Sequence, residues 1–249
     1  MSTEAEISRR DLLRAATLAA GGLVAAHGLA RTPDAAVSPE LRHKKMEPLL
    51  VKVPTEADIA KALNTDGKGI SAATHKAHLT LWQGYANKTN EIRKALAELD
   101  TDPAKGNQIY SVTRSLKVNY AFAYGGYINH NVYFDTLGGS GQIGGDIETL
   151  IVEAYGSVER WKADWKITGI SSRGWVYLGY DHDEQRVFNY AGDAQDTFPA
   201  WNNTLVLAMD VYEHAYFLDF QIARAKYIDT WFENVDWDAV NARLAKARR

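Results

Sequence analysis

The 249-residue sequence contains no cysteine, and this absence removes a whole class of chemistry. Without thiols the chain can form no disulfide, no thiolate metal site and no cysteine nucleophile. A transition metal would have to be held by histidine, aspartate or glutamate side chains. Aromatic residues, by contrast, are plentiful, with 7 tryptophans and 13 tyrosines.

The sequence also lacks an excess of charge of either sign. Its formal net charge is −3, with 24% charged and 46% hydrophobic residues, which is ordinary for a globular protein. Bulk electrostatics therefore give no reason to expect a nucleic-acid partner.

The first thirty residues have the pattern of an export signal. Paired arginines, Arg9 and Arg10, precede a modest apolar run over 15–26, and small residues follow it. This order predicts a twin-arginine-type signal peptide over residues 1–30 and a periplasmic or extracellular location. A cytoplasmic helix or a membrane anchor is the alternative, but the run is too short to span a bilayer comfortably, so we expect no membrane association after signal removal.

The stretch 31–68 is polar and contains four of the six prolines, at positions 33, 39, 48 and 54. Prolines spaced in this way interrupt regular structure. We therefore predict a linker, or N-terminal extension, that leads into the folded part of the chain.

The remaining sequence predicts helices first and a small sheet afterwards. Helical spacing of apolar residues predicts helices over 70–99, with Ser71 as the predicted N-cap, and over 109–137. Shorter helices follow within 141–165. Strands are predicted over 174–180, 186–190 and 205–210, with further helices over 213–227 and 237–247. This order indicates an α+β fold.

Four side chains in this pattern are candidate metal ligands: His78, His130, Asp210 and His214. Three imidazoles and one carboxylate suit Fe, Mn or Zn and do not suit Mg or Ca. Each histidine alone is more often a hydrogen-bonded core residue, and spacing cannot show that the four converge. Of the other histidines, we expect His75 to face the solvent and His182 to lie in a solvated turn.

Five separate stretches, in order along the chain, resemble motifs of one known family. They are 70–90 (Ile-Ser-Ala leading to a histidine and Tyr-Ala-Asn-Lys), 129–139 (Asn-His, Tyr-Phe, Leu-Gly-Gly), 174–178 (Gly-Trp-Val-Tyr-Leu), 210–216 (Asp-Val-Tyr-Glu-His-Ala-Tyr) and 223–237 (Ala-Arg-Ala-Lys-Tyr, Trp-Phe, Val-Asp-Trp). Together they make the chain similar to the iron/manganese superoxide dismutases from about 70 to 244.

The resemblance implies a two-part fold with one metal ion between the parts. An N-terminal antiparallel helical hairpin, over 69–139, would precede a C-terminal domain with a three-stranded antiparallel sheet and helices, over 140–249. The four candidate ligands would hold one Fe or Mn ion per subunit. The implied activity is superoxide dismutase: superoxide would be converted to dioxygen and hydrogen peroxide by redox cycling of the metal.

The resemblance also assigns roles around the metal. Tyr85 matches the gateway tyrosine, Arg224 the arginine that lines the substrate funnel, and Trp175 the aromatic wall. Glu213 matches the glutamate that reaches a metal-bound histidine of the partner subunit, which implies a homodimer. Gln195 matches the glutamine that lies beyond the ligands.

Several positions depart from the family pattern. The funnel histidine is absent, the region of Trp82 takes its place, and the tyrosine that would partner it is Phe217. Tyr212 replaces a tryptophan and adds a hydroxyl that needs a partner. A shift of one residue in the alignment would put Ala194, rather than Gln195, at the glutamine position.

Two alternatives keep the same scaffold. One is another metal-dependent redox enzyme whose altered funnel admits a larger substrate, and the other is a non-catalytic metal-binding protein. The sequence does not distinguish Fe from Mn or a dimer from a tetramer.

Overall fold

The structure is a computed structural model that describes residues 47–197 and 200–249. The predicted signal peptide and residues 31–46 of the predicted linker lie outside these ranges. Among the described residues, no helix combines the length and the hydropathy that crossing a bilayer requires.

Two long helices form an antiparallel hairpin at the start of the fold. Helix α1 spans Ala72–Ala97 and helix α2 spans Val112–Asp135. Each begins at a serine N-cap: Ser71 accepts a hydrogen bond from the Thr74 amide, and Ser111 accepts one from the Arg114 amide. These caps satisfy amides that the helix leaves unpaired, so the helix starts are encoded locally.

Glycines at the middle of α2 let neighbouring groups approach its backbone closely. A Cβ at Gly126 would lie 2.6 Å from the Tyr85 ring, and one at Gly125 would collide with the carbonyl oxygen of Gln195. Any side chain at these positions would push α2 away from α1 or from the sheet domain.

The second half of the described chain is a three-stranded antiparallel sheet with helices. Helices α3 (Asp146–Tyr155) and α4 (Val158–Ser171) precede strands β1 (Trp175–Asp181), β2 (Arg186–Gly192) and β3 (Asn203–Asp210). The strand order is β2-β1-β3, with Trp175 on central β1 opposite Asp210 on β3. Helix α7 (Trp237–Ala247) packs on β3 and ends the fold. The predicted α+β class is confirmed.

The predicted helix over 213–227 is wrong as one continuous element. A 3-10 turn covers Glu213–Ala215, a short helix α5 covers Phe217–Phe220, and helix α6 covers Arg224–Phe232. The break lies at Gln221, whose φ of 53° is in the left-handed region that a right-handed helix cannot include. Apolar spacing continued through this region because both helical pieces bury residues in the same core.

The part of the predicted linker that the structure describes packs against α1. Two 3-10 turns, Glu56–Ile59 and Ala62–Thr65, bury Ile59, Ala62 and Thr65. Before these turns, the backbone of Val51 forms two hydrogen bonds with the side chain of Asn90 on α1. These contacts tie the segment before α1 to the hairpin.

We predict that Gly125→Ala destabilises the protein, because the new methyl group would meet the Gln195 backbone. Overpacking of this kind costs about 1–3 kcal/mol. The free energy of unfolding from urea titration measures the effect. Gly84→Ala is the matched control: Gly84 is an exposed α1 residue whose added Cβ meets nothing within 4 Å. The control should gain about 0.5–1 kcal/mol from helix propensity, and equal effects at the two sites would contradict the close approach.

Candidate metal centre

The four predicted ligands converge at one point between the hairpin and the sheet. One ligand atom from each of His78, His130, Asp210 and His214 lies within 4.8 Å of all the others. His78 comes from α1, His130 from α2, Asp210 from the end of β3 and His214 from the 3-10 turn that follows. The site therefore exists only when three parts of the chain pack together.

His130 is held in one tautomer and presents an unused nitrogen to the site. Its Nδ1 donates to the carbonyl of Gly126, one helical turn back, at 2.6 Å. Nε2 is then the unprotonated nitrogen, and it is buried without a hydrogen-bond partner. Burial lowers the pKa of His130 to about 3, so the ring is neutral at neutral pH. A neutral imidazole with a free lone pair is ready to bind a metal.

Asp210 is the negative charge at the centre of the three rings. Its Oδ2 lies 3.2 Å from His78 Nε2, 3.1 Å from His214 Nε2 and 3.7 Å from His130 Nε2. Burial alone would raise the pKa of Asp210, but the charge and hydrogen bonds of His214 and His78 outweigh burial and hold the pKa well below its usual range. The side chain is thus a buried carboxylate.

Backbone and side-chain donors fix the position of Asp210. Oδ1 accepts from the Tyr212 amide at 2.9 Å, and the main-chain carbonyl accepts from the Tyr227 hydroxyl at 2.9 Å. Oδ2 is therefore directed at the three imidazoles. Positioning groups of this kind orient a metal ligand before the metal binds.

This donor set fits a first-row transition metal. Leaving the Nε2 of His130 buried and unpaired costs free energy, and a metal ion at the centre would satisfy that lone pair. Three imidazoles and one carboxylate match Fe, Mn or Zn, and three of the four side chains are fully buried.

Aromatic rings pack around the three buried ligands. The Trp175 ring meets His130 edge-on at 5.1 Å, and the Tyr133 ring lies 4.9 Å from His78. Tyr177 stacks on Trp175 with an interplanar angle of 9°. Because Trp175 and Tyr177 are two apart on β1, they share the face of the sheet that looks toward the metal centre.

The structure places Gln195, and not Ala194, beside the centre. The Trp175 indole donates to Gln195 Oε1 at 3.1 Å, and the Gln195 side chain also interacts with the Tyr85 hydroxyl. Burial and the charge of Asp210 raise the pKa of Tyr85 to about 12, and the hydrogen bond with Gln195 offsets part of this rise. The Tyr85 phenol therefore keeps its proton at neutral pH.

Sequence reasoning missed the contribution of Asn129. Its buried Nδ2 donates to the Tyr177 hydroxyl at 2.9 Å and to the Gln195 carbonyl at 3.1 Å. This amide joins α2 to the sheet and to the loop that carries Gln195. Its position directly before His130 was the available signal, but sequence alone did not show what the amide contacts.

The side of the centre that carries His214 is open to the surface. Its side chain is 31% exposed and borders a pocket of about 460 Å³. The lining residues are Ser172, Arg173, Tyr212, Glu213, His214 and Arg224. The Arg224 guanidinium donates to the Ser172 carbonyl at 2.8 Å and to the Tyr216 hydroxyl at 3.2 Å. Two arginines on this pocket would attract a small anion.

The positions that depart from the family pattern have clear places in the structure. Trp82 is buried, stacks on Phe134 at 5.3 Å and donates to the Tyr127 carbonyl at 3.1 Å. Tyr212 donates its hydroxyl to the Asp193 carbonyl, so the expected partner is found. Phe217 is 42% exposed.

The expectation for His75 is wrong, and that for His182 is confirmed. His75 is fully buried, and its Nε2 lies 2.8 Å from the Thr65 hydroxyl. The segment before α1 covers this face of the helix, which the prediction of a linker did not anticipate. His182 is exposed in the turn between β1 and β2.

Known proteins with related sequences are metal-dependent enzymes. Residues 143–243 match the family model for iron/manganese superoxide dismutases, C-terminal domain. The chain is 36% identical over 186 residues to superoxide dismutase [Fe] of Aquifex aeolicus, covering 73% of this chain and 87% of the relative. It is 36% identical over 170 residues to superoxide dismutase [Fe] of Cupriavidus metallidurans, covering 67% and 83%. Superoxide dismutase [Mn] 1 of Halobacterium salinarum is 30% identical over 172 residues, covering 68% and 84%.

Proposed function

The chain belongs to the iron/manganese superoxide dismutase family, and we propose that it converts superoxide to dioxygen and hydrogen peroxide at the centre formed by His78, His130, Asp210 and His214. The observation that carries this proposal is the convergence of three imidazoles and one buried carboxylate in a chain of this family. When bound, Fe or Mn supplies a one-electron couple that oxidises one superoxide and reduces a second, which takes up two protons.

The residues around the centre have separate tasks. Arg173 and Arg224 line the pocket beside His214 and draw in the superoxide anion. Tyr85 holds a proton on its hydroxyl next to the Gln195 amide, and Trp175 fixes the orientation of that amide. The buried aromatic rings keep bulk water from His78, His130 and Asp210, whereas His214 borders the pocket.

We predict superoxide dismutation by the purified chain loaded with Fe or with Mn. Preparing the protein separately with each metal also identifies the cofactor, because activity and metal content are measured on the same samples. Metal content is expected to reach one ion per chain with either metal. A chain that binds both metals stoichiometrically but dismutates superoxide with neither would contradict the proposed function.

His130→Ala should abolish both metal binding and dismutation, because it removes the buried Nε2 that only a metal would satisfy. His182→Ala is the matched control, since this histidine is exposed on the turn between β1 and β2. Circular dichroism of both variants establishes that they fold.

We propose that the functional unit is a homodimer in which Glu213 orients His214 of the partner subunit. The His214 Nε2 lies 3.1 Å from Asp210 Oδ2, so Nδ1 is the ring nitrogen left for a contact outside the centre. Glu213 is exposed on the same pocket. Nearby apolar side chains are also exposed, with Leu218 at 59% and Ile222 at 88%, which supports an interface on this side.

If the chain forms a homodimer, we expect its apparent mass in sedimentation equilibrium to rise with protein concentration. Glu213→Ala should weaken the dimer and reduce activity together, because it removes a cross-subunit partner of a ligand. Glu184→Ala, an exposed glutamate in the β1–β2 turn, should change neither. A wild-type chain that stays monomeric at micromolar concentration and is fully active would refute this arrangement.

We propose that the chain is exported by the twin-arginine route, on the evidence of Arg9, Arg10 and the apolar run that follows. Replacing both arginines by lysine should retain the protein in the cytoplasm, because charge alone does not substitute for this pair. Arg14→Lys leaves the pair intact and serves as the control. Cell fractionation measures the outcome, and unchanged export of the double variant would disprove the route.

A further inference from the structure

A line of tyrosines runs along one face of α2 from the surface toward the metal centre. Tyr120 and Tyr124 stack with ring centroids 5.5 Å apart and an interplanar angle of 10°. Tyr124 and Tyr127 stack at 6.2 Å and 18°. Spacings of four and three residues place the three rings on one face of the helix. All three rings are only partly buried, so this face is not simply a core stripe.

The line continues through the hairpin to a candidate ligand. The Tyr127 ring lies 6.3 Å from that of Trp82, whose indole also donates to the Tyr127 carbonyl. Trp82 stacks on Phe134 at 5.3 Å, and Phe134 lies 5.1 Å from the His78 ring. Trp82 is also one turn after His78 on α1. Tryptophan and tyrosine are the side chains that lose one electron most readily, and electron tunnelling falls exponentially with distance, so short steps between them are favoured.

The Arg93 side chain holds the two outer tyrosine rings of the line in place. The Arg93 guanidinium lies 4.8 Å from the centroid of the Tyr124 ring and donates to the Tyr120 hydroxyl at 2.9 Å. Arg93 also bonds the carbonyl of Leu49 in the segment before α1. One side chain thus fixes both outer tyrosines while their partial exposure leaves a path for protons to the solvent.

A second group of tyrosines near the centre lacks this path. Tyr133 lies 4.9 Å from His78, and its hydroxyl is 3.3 Å from that of Tyr227. Both residues are completely buried. A tyrosine that loses an electron must also release its phenolic proton, and burial of both hydroxyls gives that proton no route to water.

We propose that Trp82, Tyr127, Tyr124 and Tyr120 form a relay that carries oxidising equivalents from the metal centre to the hairpin surface, where small phenols are oxidised at the expense of hydrogen peroxide. The proposal rests on the proposed function, because dismutation produces the peroxide at this centre. The relay draws oxidation away from the ligands and from the aromatic shell.

The reaction balances with peroxide as the oxidant and phenols as reductants. Hydrogen peroxide gains two electrons and two protons, and its O–O bond breaks to give two waters. Each of two phenols loses one electron and its hydroxyl proton and becomes a phenoxyl radical. When no external phenol is present, Tyr120 and Tyr124 are the two reductants, and their radicals couple through a carbon–carbon bond to dityrosine.

The test treats the metal-loaded full chain with hydrogen peroxide, without and with guaiacol as the probe phenol. Without guaiacol, we expect peptide mass spectrometry to find a Tyr120–Tyr124 cross-link. With guaiacol, we expect peroxide-dependent guaiacol oxidation and loss of the cross-link. Metal-free protein should show neither product, which excludes oxidation by peroxide in solution.

Two variants interrupt the relay at different points. Trp82→Phe keeps a ring on Phe134 but removes the readily oxidised indole, so the cross-link should disappear although Tyr120 and Tyr124 are intact. Tyr124→Phe should abolish the cross-link and lower guaiacol oxidation while superoxide dismutation stays unchanged. Tyr110→Phe, a tyrosine that is 87% exposed and outside the line, is the matched control and should change nothing.

The outcomes separate the relay from the proposed function. A cross-link that persists in Trp82→Phe, or oxidation confined to residues that touch the ligands, would overturn the relay whatever the dismutase activity. Failure of dismutation with a cross-link that depends on Trp82 would instead overturn the proposed function and leave the relay standing. If Trp82→Phe does not fold, the comparison of Tyr124→Phe with Tyr110→Phe decides.

Discussion

The buried carboxylate of Asp210 is the constraint on which the rest of the structure depends. A negative charge removed from water is costly unless it is paired and hydrogen-bonded. Its oxygens are directed by Tyr212 and faced by imidazoles from α1, α2 and the turn after β3. These partners are distant in sequence, so the charge is tolerated only when the hairpin and the sheet pack together. Assembly of the centre and assembly of the fold are one event.

Small residues and large rings act together around that charge. Gly125 and Gly126 let the Gln195 backbone and the Tyr85 ring reach α2, while Trp175, Tyr177 and other rings fill the remaining space. A shell of this kind keeps water out and makes each electrostatic contact stronger. The same rings place oxidisable side chains around a redox centre. Their arrangement therefore affects where oxidation can spread, as well as how tightly the core is packed.

The sequence by itself determined the chemistry available to this protein. Absence of cysteine left only histidine and carboxylate ligands, and the motifs around His78, His130, Asp210 and His214 resembled those of one family. The capping residue Ser71 and the spacing of apolar residues placed the long helices and the three strands within a few residues, because these signals are local. Gln195 was predicted from its neighbours in the sequence, although a shift of one residue in the alignment would have put Ala194 at the same position.

Only the tertiary structure decided the rest, because it depends on contacts between distant segments. The ligands that converge, and the pair Asn129 and Tyr177, are far apart in the chain. His75 is buried because the segment before α1 folds back onto the helix, which local pattern did not indicate. The break at Gln221 interrupts a helical pattern that apolar spacing predicted as continuous. The local sequence shows which residues are apolar or polar, whereas the packing of distant segments determines which side chains are in contact.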